Sequence, residues 1–425
     1  MSTIRHLRNF WLAWITTIVL GSFSNAAAQT SYTVTDLGVE NNWNLSCAMA
    51  LNNQGWTLNM NGLMNPPSNF LFAPVLAGRA VIHIGGLKID LGTLGGPTGN
   101  SWMNWGGIND RGEAVGMSET SVLDPDGEDI CGFGTGHICQ PFLWQNGNMS
   151  ALPTLGGNNG SASDINNDGQ IAGTAETTVL DSGCPPNKTS LPVLWEAGKA
   201  LPLPTVGGDP DGVAFAINNQ GQAVGYSGTC TRAHTAILWE NGTAFPLPDL
   251  GVARSNFGSG INDLGQIVGK VRSADGKTFL AALWQNRALT ILGTGTLPGD
   301  SFGWATGINN QGQVVGSTLD SGLNWSHGFI WQNGVMTDLN TLFPASSNLF
   351  VTMANKINER GQISGMGIVL SGPHTGDIHA FLATPVDESV GMSVAEFVRT
   401  HPKPNLPANV NRQLLQRFGL GRFEQ

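Results

Sequence analysis

The chain has 425 residues, of which 20 are Lys or Arg and 30 are Asp or Glu, a formal net charge of −10. That balance excludes the basic stripe that nucleic-acid binding requires and gives anionic lipid headgroups nothing to attract. Charged residues make up only 12%, about half the usual share, while Gly reaches 58, a composition suited to short strands joined by many tight turns.

The N-terminus opens with Arg5, His6 and Arg8, continues with the mostly apolar stretch Phe10 to Leu20, and reaches the small residues Ala26-Ala27-Ala28. This order reads as a secretory signal, residues 1–28, cleaved after Ala28. The plain alternative is a membrane anchor, but the apolar run is shorter than the ~20 residues that cross a bilayer. No later segment is long and apolar enough to cross either. The mature chain is therefore expected to be exported, extracellular or periplasmic, without a transmembrane span, and monomeric.

Tyr32-Thr33-Val34-Thr35-Asp36-Leu37 reads as a strand without a blade of its own. A repeat follows, an apolar residue and Asn, two variable residues, then Gly. Its copies start at Leu51-Asn52, Ile108-Asn109, Ile165-Asn166, Ile217-Asn218, Ile261-Asn262, Ile308-Asn309 and Ile357-Asn358. One unit shows the expected fold. Ala305-Thr306-Gly307-Ile308 is a strand, Asn309-Asn310-Gln311-Gly312 a turn, and Gln313-Val314-Val315-Gly316 the return strand. After a variable loop, Gly328-Phe329-Ile330-Trp331 is a third strand. Gln332-Asn333-Gly334 carries the strong Asn-Gly hairpin signal, and Val335-Met336-Thr337-Asp338-Leu339 is the fourth strand. Four strands per unit of this length is the signature of a propeller blade. The last copy, Ala380-Phe381-Leu382-Ala383-Thr384-Pro385, is a third strand with no fourth after it. The expectation is thus an all-β, seven-bladed β-propeller over residues 29–385, its ring closed by the N-terminal strand. An open β-solenoid is the alternative. Residues 386–425 are expected to form a tail with short helices, around Val394–Val398 and Val410–Phe418.

The Ile-Asn-X-X-Gly-Gln-X-X-Gly phrase, followed by Ile378-His379-Ala380-Phe381-Leu382 or by Ser326-His327-Gly328-Phe329-Ile330-Trp331, resembles the probable extracellular repeat called the HAF family. The resemblance covers about residues 30 to 385. It implies export and a β-rich array, and brings no catalytic residues with it.

Alternating strands put the short Asn-X-X-Gly and Asn-Gly turns on one face and all longer connections on the other. Binding residues concentrate on long loops held by a rigid scaffold. On that face Trp102, Asn104, Trp105 and Trp304 are candidates to stack on a sugar or peptide, against the plain reading that the aromatics plug between blades. Asp124, Asp126, Glu128 and Asp129 concentrate acidic oxygens in one loop, a candidate Ca²⁺ site, against a solvated acidic loop. Cys131 with Cys139, and Cys184 with Cys230, are expected as disulfides, leaving Cys47 over, in keeping with an oxidising compartment. No catalytic constellation is visible. The expected function is non-catalytic, a scaffold binding an extracellular glycan or protein. The competing class is a polysaccharide lyase or hydrolase with acidic or His residues at a central channel. A purely structural envelope protein is a third.

Overall fold

The computed structural model describes residues 30–40, 43–64, 75–96, 101–184, 187–252, 254–321 and 326–386. The expected signal and the expected helical tail lie outside the described residues.

The described structure is all-β apart from one 3₁₀ turn, Leu339–Leu342. The unit read from sequence becomes Phe302–Ile308, Val314–Leu319, Ser326–Gln332 and Val335–Asp338, antiparallel in that order. There are five four-stranded sheets of this kind and one of eight strands. The eight-stranded sheet holds two such sets, joined by the single parallel pair Leu45–Ile378. Its outer strand is the N-terminal one, Ser31–Gly38, which runs antiparallel to Ile378–Val386 with Thr35 opposite Leu382 and Asp36 opposite Phe381. First strands of successive sheets lie against each other, and fourth strands such as Asn148–Ala151 are largely exposed. The first strand is therefore the inner one, in the arrangement of a β-propeller. The core lies between sheets: Val268, Leu283 and Leu292 of one pack with Ala305, Ile308, Val314 and Phe329 of the next.

The repeated phrase has a physical account at each position. Asn262 Oδ1 accepts from the amides of Leu264 and Gln266, closing its own turn. Its Nδ2 donates to Gln266 Oε1 at 2.7 Å and to the carbonyl of Asn309 in the next sheet at 2.9 Å. One side chain thus satisfies two strand ends and a neighbouring turn. The same inter-sheet bond runs from Asn52 to Asn109, Asn166, Asn218, Asn262, Asn309 and Asn358, and then back to Asn52, each 2.9–3.1 Å. A second cycle of 2.8–3.0 Å bonds joins each following residue to its counterpart, from Asn53 through Asp110, Asn167, Asn219, Asp263, Asn310 and Glu359 to Asn53 again.

The second Gly of the phrase answers a close approach. Each first strand carries a register shift, as between Ala214 and Ala216. Beside that shift, a Cβ on Gly225 would stand 1.8 Å from the Val213 carbonyl. The recurring Trp ties sheets together as well. Trp195, Trp239 and Trp284 donate Nε1–H to the carbonyls of Pro153, Pro204 and Pro248 at 2.7–2.8 Å.

Strands run further into the long-connection face than the apolar pattern indicates. The strand His137–Gln145 begins five residues before its apolar Phe142-Leu143-Trp144, because Gln140 and Cys139 continue the ladder opposite Ser118 and Glu119. Cys131 is bonded to Cys139 and Cys184 to Cys230. Cys47 is buried, its Sγ 3.3 Å from Met49 Sδ.

Candidate functional site

Consecutive units raise two matching hairpins on the long-connection face. Their second strands, Ala114–Leu123 and Ile171–Leu180, end in the related phrases Glu119-Thr120-Ser121-Val122-Leu123-Asp124 and Glu176-Thr177-Thr178-Val179-Leu180-Asp181. Val122, Leu123, Val179 and Leu180 are 55%, 65%, 59% and 60% exposed. Ile130 in the adjoining loop is exposed too. Burying such side chains is worth roughly 1.5–3 kcal/mol each, so these exposed residues on two neighbouring hairpins mark a candidate contact surface.

A buried polar network holds these hairpins in place. Asn159 Nδ2 lies among Asp124 Oδ2 at 2.6 Å, Glu128 Oε2 at 2.9 Å and both Glu176 oxygens at 3.2 Å. Asn158 Nδ2 donates to Asp126 Oδ2 at 2.8 Å. Lys188 pairs its ammonium with Asp126 and its amide with Glu128 Oε1. Glu128 and Glu176 are both buried. Burial first, and then the neighbouring Glu176, push the Glu128 carboxyl up to about 7. The network links the first hairpin's loop to Lys188 at the start of the other hairpin's return strand, so the two apolar tips are fixed relative to each other.

The structure thus brings Asp124, Asp126 and Glu128 together, with one carboxylate oxygen of each within 4.8 Å of the others. Asp129 instead accepts from the Gly134 amide at 2.8 Å, within its own loop. In this arrangement Asn159 and Lys188 occupy oxygens that a Ca²⁺ ion would need. Glu176, Asn158, Asn159 and Lys188 were not singled out from sequence. The doubled Glu-Thr-X-Val-Leu-Asp phrase was the signal that could have found Glu176.

Trp304 is fully buried and offers no surface for stacking. Its Nε1–H donates to Ser259 Oγ at 2.7 Å, and it meets Phe257 edge-on at 5.3 Å. Lys270 Nζ stands 4.7 Å from the Phe257 ring, 4.2 Å from Phe279 and 5.5 Å from Trp304. The aromatic group is therefore filled by the protein's own cation. Trp102, Asn104 and Trp105 lie on the strand Ser101–Ile108, but their side chains lie outside the described residues.

His–carboxylate pairs occur near the start of three third strands, with His327 and His379 at the same repeat position and His234 one residue before it. His234 Nδ1 is 2.8 Å from Asp209, His327 Nδ1 is 3.0 Å from Asp300, and His379 Nδ1 is 2.9 Å from Asp36. Each joins the start of a third strand to another segment of the same sheet's surroundings, as expected of a repeated structural tie. Among the described residues no helix is long and apolar enough to cross a membrane.

No family model matches the chain, and no curated protein matches it. Several solved structures are similar to it. The β-propeller domain of the Trilobed protease from Pyrococcus furiosus is 8% identical, with 85% of this chain and 99% of that one covered and a TM-score of 0.46. Virginiamycin B lyase from Staphylococcus aureus is 10% identical, with coverages of 84% and 100% and a TM-score of 0.45. A gluconolactonase from Xanthomonas campestris is 11% identical, with coverages of 83% and 89% and a TM-score of 0.36.

Proposed function

We propose that the chain is an exported, closed seven-bladed β-propeller that serves as a non-catalytic scaffold, binding an extracellular protein through its long-connection face. Closure is supported by the two hydrogen-bond cycles that return to Asn52 and Asn53. Export is supported by the two disulfides, which persist in oxidising compartments. The binding reading rests on one observation, the paired apolar tips Val122-Leu123 and Val179-Leu180, exposed yet rigidly held. Aliphatic tips suit an apolar protein surface better than a sugar, which asks for exposed aromatic platforms.

The competing enzyme reading would draw on Glu128 and Glu176. Both are buried and bonded to Asn159, and Glu128 is also bonded to the Lys188 amide, so they face the scaffold rather than a substrate.

The test uses the secreted full chain and a Leu123→Ser/Leu180→Ser double variant, cross-linked in the culture that produces it and analysed by mass spectrometry. Wild type should cross-link to a partner near residues 122–130 and 179–188, and the folded variant should lose it. A glycan-array signal unchanged by the variant would move the reading to a sugar ligand elsewhere. Absence of any protein or glycan partner would contradict the scaffold.

A further inference from the structure

The connection between Ile363–Val369 and Ile378–Val386 carries the spacing His374-X-X-Asp377-X-His379. Its turn is tightly bonded: Gly376 N donates to Val369 O at 2.9 Å, and Asp377 N to His374 O at 2.9 Å. One donor atom from each of His374, Asp377 and His379 lies within 4.8 Å of those of the other two. The two imidazoles stand 5.6 Å apart, centroid to centroid.

His379 supplies the independent observation. Its side chain is only 5% exposed. Its Nδ1 lies 2.9 Å from each oxygen of Asp36. An ionised carboxylate accepts only, so this contact puts a proton on Nδ1, and in the neutral ring the lone pair is then on Nε2. Among the described residues Nε2 is buried with no hydrogen-bond partner. An orphaned buried acceptor costs roughly 1–3 kcal/mol and calls for an explanation. A carboxylate on one ring nitrogen with the other nitrogen bare is the arrangement of a metal-ligating histidine and its supporting acid. His327 has the same repeat position and the same kind of acid, Asp300, but no neighbouring His and Asp group is found beside it among the described residues.

We infer that His374, Asp377 and His379 form a binding site for a first-row divalent transition metal, Zn²⁺ by preference, with Asp36 as the positioning residue behind His379. Two imidazoles and one carboxylate suit Zn²⁺. They do not suit Ca²⁺, which takes six to eight oxygens. Tetrahedral bonds of about 2.0–2.1 Å set donor atoms about 3.3 Å apart. His374 Nδ1 and Asp377 Oδ2 are 2.9 Å apart, so a small opening of this surface turn accommodates an ion. His374 is 51% exposed, which leaves a fourth position open to water. Bound metal ties the turn, through His379 and Asp36, to the N-terminal strand.

The experiment uses the untagged, chelator-stripped full chain. Calorimetry with Zn²⁺, and metal analysis after desalting, should find one ion per chain and a raised Tm. His374→Ala and Asp377→Asn change exposed or half-exposed side chains, should fold as wild type, and should weaken binding at least about tenfold. Asp36→Asn should weaken it roughly 10–100-fold, as loss of a supporting acid does. A simple surface chelate of His374 and Asp377 would not feel that change. The inference is overturned if stripped wild type retains no Zn²⁺, if His374→Ala binds as wild type does, or if Asp36→Asn leaves the affinity unaltered.

Discussion

Asn358 donates its side-chain amide to the backbone carbonyl of Asn52, 2.9 Å away and 306 residues earlier in the chain. The same bond recurs between every consecutive pair of repeats, with sequence separations of 44 to 57. A residue that sequence alone explains as a turn former is therefore also an inter-sheet tie, and the two roles use different atoms of one amide.

Asp is a turn former too, but it cannot donate. Asn262→Asp keeps the acceptor for Leu264 and Gln266 and loses the donations to Gln266 and Asn309. At this buried position the cost should be about 2–4 kcal/mol. Asn219→Ala, in the exposed outer cycle, should cost under about 1 kcal/mol. Urea melts of both variants check the contrast; equal costs would refute the inner cycle's role.

Gly225→Ala should destabilise by about 3 kcal/mol, since its Cβ would meet the Val213 carbonyl at 1.8 Å and the strands must part. Gly147 has open space around it but sits at φ +81°. Gly147→Ala should cost only about 1 kcal/mol, from backbone strain. Thermal denaturation distinguishes the two.

The disulfides should differ in worth by loop length. Cys184–Cys230 spans 46 residues and Cys131–Cys139 spans 8. Loop-closure entropy assigns them about 4 and about 2.5 kcal/mol. Single Cys230→Ala and Cys131→Ala variants, compared in guanidinium melts, should keep that order.

Burial holds the Asp211 carboxyl up at about 6, from an ordinary 3.8. Ser190 N donates to one of its oxygens at 2.7 Å. A raised acid pKa means the folded state holds more protons than the unfolded one between about 4 and 6, so stability falls as pH rises through that window. The loss is at most about 3 kcal/mol. Asp211→Asn should abolish it and be the more stable form at pH 7. A steeper fall with pH in the variant would contradict the assignment.

Much of this architecture was legible because turn chemistry is local. Asn, Gly and apolar third strands such as Gly328-Phe329-Ile330-Trp331 mark the hairpins without reference to anything distant, and the unmatched strand Tyr32–Leu37 pointed to its partner near Phe381. What was not legible depends on how neighbouring units face each other. Both strands of the first hairpin are apolar, so the pattern could not say that Phe302–Ile308 is inner. Asp124, Asp126 and Glu128 stood out as a run, whereas Glu176, Asn159 and Lys188 join them only once the next unit is placed alongside. Trp304 stood open between a stacking platform and a plug between blades, because nothing in sequence announces that Lys270 lies against it.

The pairing of the chain's two ends is tested most directly by a Thr33→Cys/Thr384→Cys variant, since these residues face each other across the antiparallel pair of Ser31–Gly38 with Ile378–Val386. Mapped by non-reducing digestion and mass spectrometry, the folded chain should carry an intramolecular 33–384 link in high yield, with the native disulfides unchanged. A folded protein in which the two new thiols stay reduced, or link only between separate chains, would contradict the closed ring.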